Sequence, residues 1–274
     1  MTAAAGRQEQ TVAARAARTK RTRKKGALFY MTRTSRRDAA ALRPAVYDPD
    51  CRRCARLARF LDRTRLEHPD YHCRPVAPFG AKNAKLVIVG LAPGMHGANA
   101  TGRPFTGDYA GELLYATLHK FGFATRPHSV SAADGLRLID TRITNAVKCV
   151  PPQNRPLPGE IRNCNAFLAA ELASLPHDAV VLALGRIAHD ASLRALQADP
   201  RRFAFAHGAA HVLDRGVRLF DSYHCSRYNT NTRRLTPAMF ERVFAAIVRQ
   251  RARRLDAPRA PARRAAAIAG SSRP

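Results

Sequence analysis

The sequence predicts an α/β protein: a three-layer α/β/α sandwich around a central four-stranded, mainly parallel sheet. Two observations predict it. The wholly apolar runs Leu86-Val87-Ile88-Val89 and Val180-Val181-Leu182-Ala183-Leu184 end at Gly90 and Gly185, as buried parallel strands do. Between and after such runs lie segments whose apolar residues recur at helical spacing. In chain order the elements are as follows. Residues 86–89 form the first strand, and residues 109–121 a helix with Leu113, Leu114, Leu118 and Phe121 on one face. Ile143 to Val147 is the second strand and Glu160 to Leu175 the second helix. Residues 180–184 make the third strand, followed by a helix over 186–197. Val217 to Tyr223 alternates and is the last strand. Thr236 to Arg249 closes the fold as a helix, with Thr236 as its N-cap and Pro237 at its first position. Ligands of such sheets sit at the C-terminal strand ends, which directs the search for a site.

The 274 residues carry 47 Lys+Arg against 20 Asp+Glu, a net charge of +27. Residues 1–43 hold twelve basic residues and two acids, and are expected to be a disordered basic tail; Met31 within them is a plausible alternative start. Residues 251–274 are expected to be a second such tail, leaving 44–250 as the folded domain. That domain is still basic on its own account, with 27 basic and 17 acidic residues over 44–248. A polyanionic partner explains this economically, since phosphate neutralisation gives affinity independent of sequence. For the tails, a coding bias toward Arg and Ala explains the charge equally well. No run of eighteen apolar residues occurs, and no apolar segment follows the basic N-terminus, so a cytoplasmic protein without membrane attachment is expected.

Six cysteines stand at 51, 54, 73, 149, 164 and 225. In a cytosolic chain the Cys51-x-x-Cys54 pair points to metal or redox chemistry rather than a disulfide. It precedes an arginine-rich helix, where a thioredoxin-like pair would follow a strand. Cys149 and Cys164 flank fourteen residues stiffened by Pro151, Pro152, Pro156 and Pro158. One tight and one wide pair make a four-thiolate site, for zinc or for a 4Fe–4S cluster. The alternative has Cys149 and Cys164 as small buried apolar residues.

After the first strand comes a glycine-rich stretch: Gly90-Leu91-Ala92-Pro93-Gly94, then His96-Gly97-Ala98-Asn99, then Gly102-Arg103-Pro104-Phe105-Thr106-Gly107-Asp108. Such a loop lets backbone N–H groups approach a ligand closely. It matches neither the triphosphate-binding nor the dinucleotide-binding fingerprint. A structural turn would explain some of the glycines, though not Phe105 and Asp108 among them. Asn145 falls in the second strand, where its amide either reads a base edge or is satisfied by backbone. His224 and Ser226 follow the last strand, at the edge where ligands bind.

Taken together and in this order, GLAPG at 90–94, GRPFTGD at 102–108, Asn145, HCS at 224–226 and the spaced cysteines resemble the uracil-DNA glycosylase superfamily, and within it the iron–sulfur type-5 branch. The resemblance covers roughly residues 44–250. Leu91 stands where type-4 enzymes carry an acid, so no general base can come from that position. The resemblance implies that Cys51, Cys54, Cys149 and Cys164 ligate a structural 4Fe–4S cluster, with Cys73 and Cys225 left over. It implies that Phe105 stacks on a flipped base, that Asn145 bonds its Watson–Crick edge, and that backbone at Ala92 and Gly94 helps bind it. His224 is expected to stabilise the departing base anion, and Asp108 to orient water and stabilise the sugar cation. Ser226 is expected on phosphate, and Arg227 begins a loop through Arg234 that wedges into the duplex; His96 and Asn99 are secondary candidates. The implied enzyme is a monomeric, monofunctional glycosylase acting on single- or double-stranded DNA with deaminated bases, uracil first and hypoxanthine beside it. Two rivals stay open: a strictly uracil-specific type-4-like enzyme, and a non-enzymatic basic nucleic-acid binder with a structural zinc site. A metal-dependent nuclease is disfavoured, because no carboxylate cluster accompanies the basic surface.

Overall fold

The computed structural model describes residues 46–176 and 178–255; the expected N-terminal tail, Met31 and residues 256–274 of the expected C-terminal tail lie outside them. Seven helices and six strands follow in order among the described residues: α1 (Ala55–Glu67), β1 (Phe79–Gly80), β2 (Leu86–Gly90), α2 (Ala98–Thr101), α3 (Tyr109–Lys120), β3 (Thr141–Asn145), α4 (Pro158–Ala173), β4 (Val180–Leu184), α5 (Arg186–Ala195), β5 (Ala210–Val212), β6 (Arg218–Ser222), α6 (Arg227–Asn231) and α7 (Pro237–Leu255). The strands form one sheet in the order β1-β3-β2-β4-β6-β5. β3, β2, β4 and β6 are parallel and are the four strands expected. The sheet nevertheless has six strands, because β1 and β5 add antiparallel edges. Strands of two and three residues are too short to leave a periodic signal in the sequence.

Pleating divides the core into two layers. Leu86, Ile88, Val180, Leu182 and Phe220 face one side, where they meet Leu114 and Leu118 of α3 and Phe240, Phe244 and Ile247 of α7. Val87, Val89, Val181, Ala183 and Leu219 face the other, against Leu168 and Leu172 of α4 and Ala188 and Ala191 of α5. Helices therefore cover both faces, and the sandwich is as expected.

The boundaries have local causes. β3 starts at Thr141, and its ladder continues past Asn145 through Ala146 N–H to Gly90 O (2.9 Å) and Val147 N–H to Leu91 O (3.0 Å). α4 begins earlier than expected, with Pro158 in its first turn and Glu160 reaching back to the Leu157 N–H at 2.7 Å. Thr236 caps α7 by accepting from Met239 N–H at 3.2 Å, and the helix runs on beyond Arg249 to Leu255. The edge at β5 is held by a buried carboxylate, Asp221, which pairs with His189 Nδ1 at 2.8 Å and His211 Nε2 at 3.1 Å. Among the described residues no helix is long and apolar enough to cross a membrane.

Candidate active site

All four parallel strands deliver their C-terminal ends to one edge, and a cavity of about 550 Å³ opens there. Its wall includes Phe105 and Asp108 from the glycine-rich stretch, Asn145 from the end of β3, and His224 just after β6. Ala92 and Gly94 of the first motif also line it, as do Ser226 and Arg227 at the start of α6. Eight of the ten expected active-site positions thus meet in one hollow.

Phe105 is held from behind. Its backbone is left-handed, with φ 55°, and α3 packs so tightly on it that a Cβ on Gly111 would lie 1.9 Å from the Phe105 carbonyl oxygen. Tyr115 Oη donates to Pro104 O at 2.8 Å, and the buried Arg103 guanidinium donates to Asp134 at 2.7 Å and to Ala132 O at 2.6 Å. The ring stacks beside the His224 imidazole, with centroids 5.8 Å apart and 26° between planes. Gly90 makes room for this approach: a Cβ there would stand 2.4 Å from Asn145 Oδ1 and 2.7 Å from Phe105 Cζ.

Asn145 is 3% exposed, and its Oδ1 is buried with no hydrogen-bond partner. The bland alternative, an amide satisfied by backbone, therefore does not describe that oxygen. An orphaned acceptor facing a cavity is what a site for a ligand N–H looks like. Asp108 is the N-cap of α3, its Oδ1 accepting from Gly111 N–H at 2.9 Å. Burial raises its carboxyl above the usual range, opposed by the Gly111 and Ala110 N–H groups. Burial lowers His224 to about 4, so at neutral pH the imidazole is uncharged and donates from one nitrogen.

Ser226 caps α6, accepting from Asn229 N–H at 3.4 Å, which leaves its own O–H to donate toward the cavity. The exposed Arg227 guanidinium lies 5.2 Å over the Tyr109 ring. The two secondary candidates are not part of the wall. His96 is exposed and pairs with Tyr71 Oη at 2.9 Å. Asn99 is fully buried behind the loop, its amide donating to Met95 O (3.5 Å) and Cys73 Sγ (3.6 Å). Sequence reasoning missed Asn154, Arg186 and Ile187, which also line the cavity. The strand-end rule pointed at the latter two, since they directly follow β4 and Gly185.

A second convergence lies beside the first. Cys51, Cys54, Cys149 and Cys164 surround one small cavity, backed by Leu57, Val147 and Phe167. Cys164 Sγ accepts from Lys148 N–H at 3.2 Å, and Cys54 Sγ from Asn163 Nδ2 at 3.7 Å. Burial and the neighbouring sulfurs push the Cys149 thiol well up, and burial takes Cys164 to about 11 against the pull of Lys148. Such a donor set fits a thiolate-bound metal centre, because bound metal replaces the thiol protons. Among the described residues, His189, His211 and Asp221 also bring their ligand atoms within 4.8 Å of one another. The loop between Cys149 and Cys164 is clamped by Arg56, which donates to Glu160 (2.7 and 2.8 Å) and to Arg155 O (3.0 Å).

A profile of the uracil DNA glycosylase superfamily matches residues 77–248. The type-5 uracil-DNA glycosylase of Thermus thermophilus is 43% identical over 199 residues, 71% of this chain and 90% of the relative. That of Pyrobaculum aerophilum is 44% identical over 191 residues, 68% of this chain and 83% of the relative. A third, from Mycobacterium bovis, is 43% identical over 205 residues, 71% and 75% of the two chains. With a profile match over more than half its length and relatives this similar across most of theirs, the chain belongs to the uracil-DNA glycosylase superfamily.

Proposed function

We propose that the protein is a monofunctional DNA glycosylase that hydrolyses the N-glycosidic bond of uracil flipped out of DNA, the first step of base excision repair. The observation that carries this is the meeting of Phe105, Asp108, Asn145 and His224 around one cavity at the sheet edge. A base must leave the stack before its glycosidic bond can be reached, at a cost of a few kcal/mol. Phe105 offers it a stacking face. The orphaned Asn145 Oδ1 is an acceptor for the N3–H of uracil. Cytosine has no hydrogen at N3, so the same oxygen would meet a lone pair and repel it.

As the bond breaks, negative charge grows on the base and positive charge on the sugar. A neutral His224 donates to the base oxygen, and that hydrogen bond strengthens as the anion forms. Asp108 keeps one oxygen on the helix cap and has the other to orient the attacking water and face the sugar cation. Arg227 and the Ser226 hydroxyl hold phosphate, which positions the strand without reading it. Hypoxanthine presents the same N–H and carbonyl pair as uracil, and a cavity of about 550 Å³ admits a purine, so it is assigned as a second substrate.

Cys51, Cys54, Cys149 and Cys164 are assigned to a 4Fe–4S cluster. Four thiols around one small, mostly apolar cavity support a thiolate-ligated centre of this kind. Hydrolysis needs no electron, so the cluster's contribution is structural: it fastens the proline-rich loop whose Asn154 reaches the cavity wall.

The test is incubation of the purified protein with duplexes bearing uracil, hypoxanthine or cytosine, followed by alkali cleavage. Strand breaks at uracil and hypoxanthine, none at cytosine, are expected. Breaks at uracil alone would reduce the reading to a uracil-specific enzyme. Salt-sensitive binding with no breaks would overturn it in favour of a nucleic-acid binder.

A further inference from the structure

Lys148 is a buried lysine for which the chemistry above has no task. It is 2% exposed and lines the sulfur cavity, not the catalytic one. All three ammonium hydrogens have acceptors: Thr144 Oγ1, the Asn145 carbonyl at 3.1 Å and Glu171 Oε1 at 2.6 Å. Glu171 in turn accepts from Thr144 Oγ1 at 3.1 Å and Arg142 Nε at 3.2 Å, tying α4 to β3. The main-chain N–H of the same lysine donates to Cys164 Sγ at 3.2 Å.

An apolar side chain would fill this space without the desolvation that a buried ammonium carries. What the ammonium adds is direction. It grips the carbonyl of the very residue whose carboxamide stands in the catalytic cavity, at the C-terminal end of β3. We infer that Lys148 is a positioning residue for Asn145, fixing the backbone from which the base-reading amide is aimed and registering it against the cysteine-bearing helix α4. The inference rests on the glycosylase reading, because the consequence of misaiming is read in base recognition.

The experiment is a double-mutant cycle in the metal-loaded protein, using Lys148→Met with and without Asn145→Ala. Two quantities are read: the single-turnover excision rate on a uracil duplex, and the inhibition constant of free uracil. Lys148→Met should lower the rate on the order of 10²-fold and weaken uracil inhibition, as a displaced contact does. In the Asn145→Ala background the same substitution should change both by less than about twofold, because the amide it aims is gone. Should Lys148→Met fail to fold, Lys148→Met with Glu171→Gln removes the carboxylate's unmet charge and serves in its place. Effects that multiply independently, or a Lys148→Met enzyme at wild-type rate, would overturn the inference. A wild-type protein that releases no uracil would defeat the glycosylase reading instead.

Discussion

The Phe105 ring and the His224 imidazole lie nearly parallel, 5.8 Å apart at their centroids, although they are far apart along the chain. Burial of the imidazole lowers its pKa to about 4. The pH consequences follow from the sign of that shift. In the unfolded chain the same histidine takes a proton near pH 6.5. Its share of folding stability is therefore intact above about 6.5 and is lost as pH falls toward about 4. Urea unfolding across this range should show wild type losing stability relative to His224→Asn. Excision should show no inflection near 6.5 from this group; one that disappears in His224→Asn would mean the imidazole is an ordinary exposed one.

Asp108 has two duties that substitution can separate. Asn is as good an N-cap as Asp, so Asp108→Asn should melt like wild type while excising little. Asp108→Ala should lose excision and also about 1 kcal/mol of stability, the usual cost of a missing cap. DNA affinity should stay close to wild type in both. Full excision by Asp108→Asn would remove the carboxylate from the chemistry.

Gly90 is needed for space, its φ being no obstacle to other residues. Gly90→Ala would drive a methyl group into Asn145 Oδ1 and the Phe105 ring. The expected result is a loss of excision on the order of 10²-fold, as for a catalytic contact displaced by about 1 Å. Binding of undamaged duplex should be little affected. Equal activity in stopped-assay comparison would show that ring and amide need not press against the strand end.

The sulfur site makes an analytical prediction. Protein purified without oxygen should be brown and carry about four irons per chain. Cys149→Ala should bleach it and slacken the loop up to Cys164, seen as faster proteolysis there. Stoichiometric zinc in a colourless protein would refute the assignment.

Much of this was legible beforehand, for physical reasons that differ by element. β2 and β4 are sealed on both faces, so their residues are uniformly apolar and announce themselves. Thr236 and Pro237 marked a helix start by chemistry that acts locally. β1 and β5 were invisible because so few residues carry no period. At the site, Phe105, Asp108, Asn145 and His224 stood out as polar or aromatic residues at strand ends and in a glycine-rich turn. His96 and Asn99 shared that turn, yet the chain folds back there, sending one to the surface and the other inward. Asn154 gave no signal: its placement depends on a loop held by Arg56 and Glu160, residues far away in sequence.

Asn145 is the last residue of β3 and stands opposite Gly90 in the ladder. Neighbouring side chains on a strand point to opposite faces, so a slip of one place would present Thr144 or Ala146 to the base instead. On the glycosylase reading proposed above, the alignment of two strands would thus decide which side chain meets the base. A slip in pairing would also turn Ile143 out of its core layer, so the aim of the amide and the packing of the sheet stand or fall together.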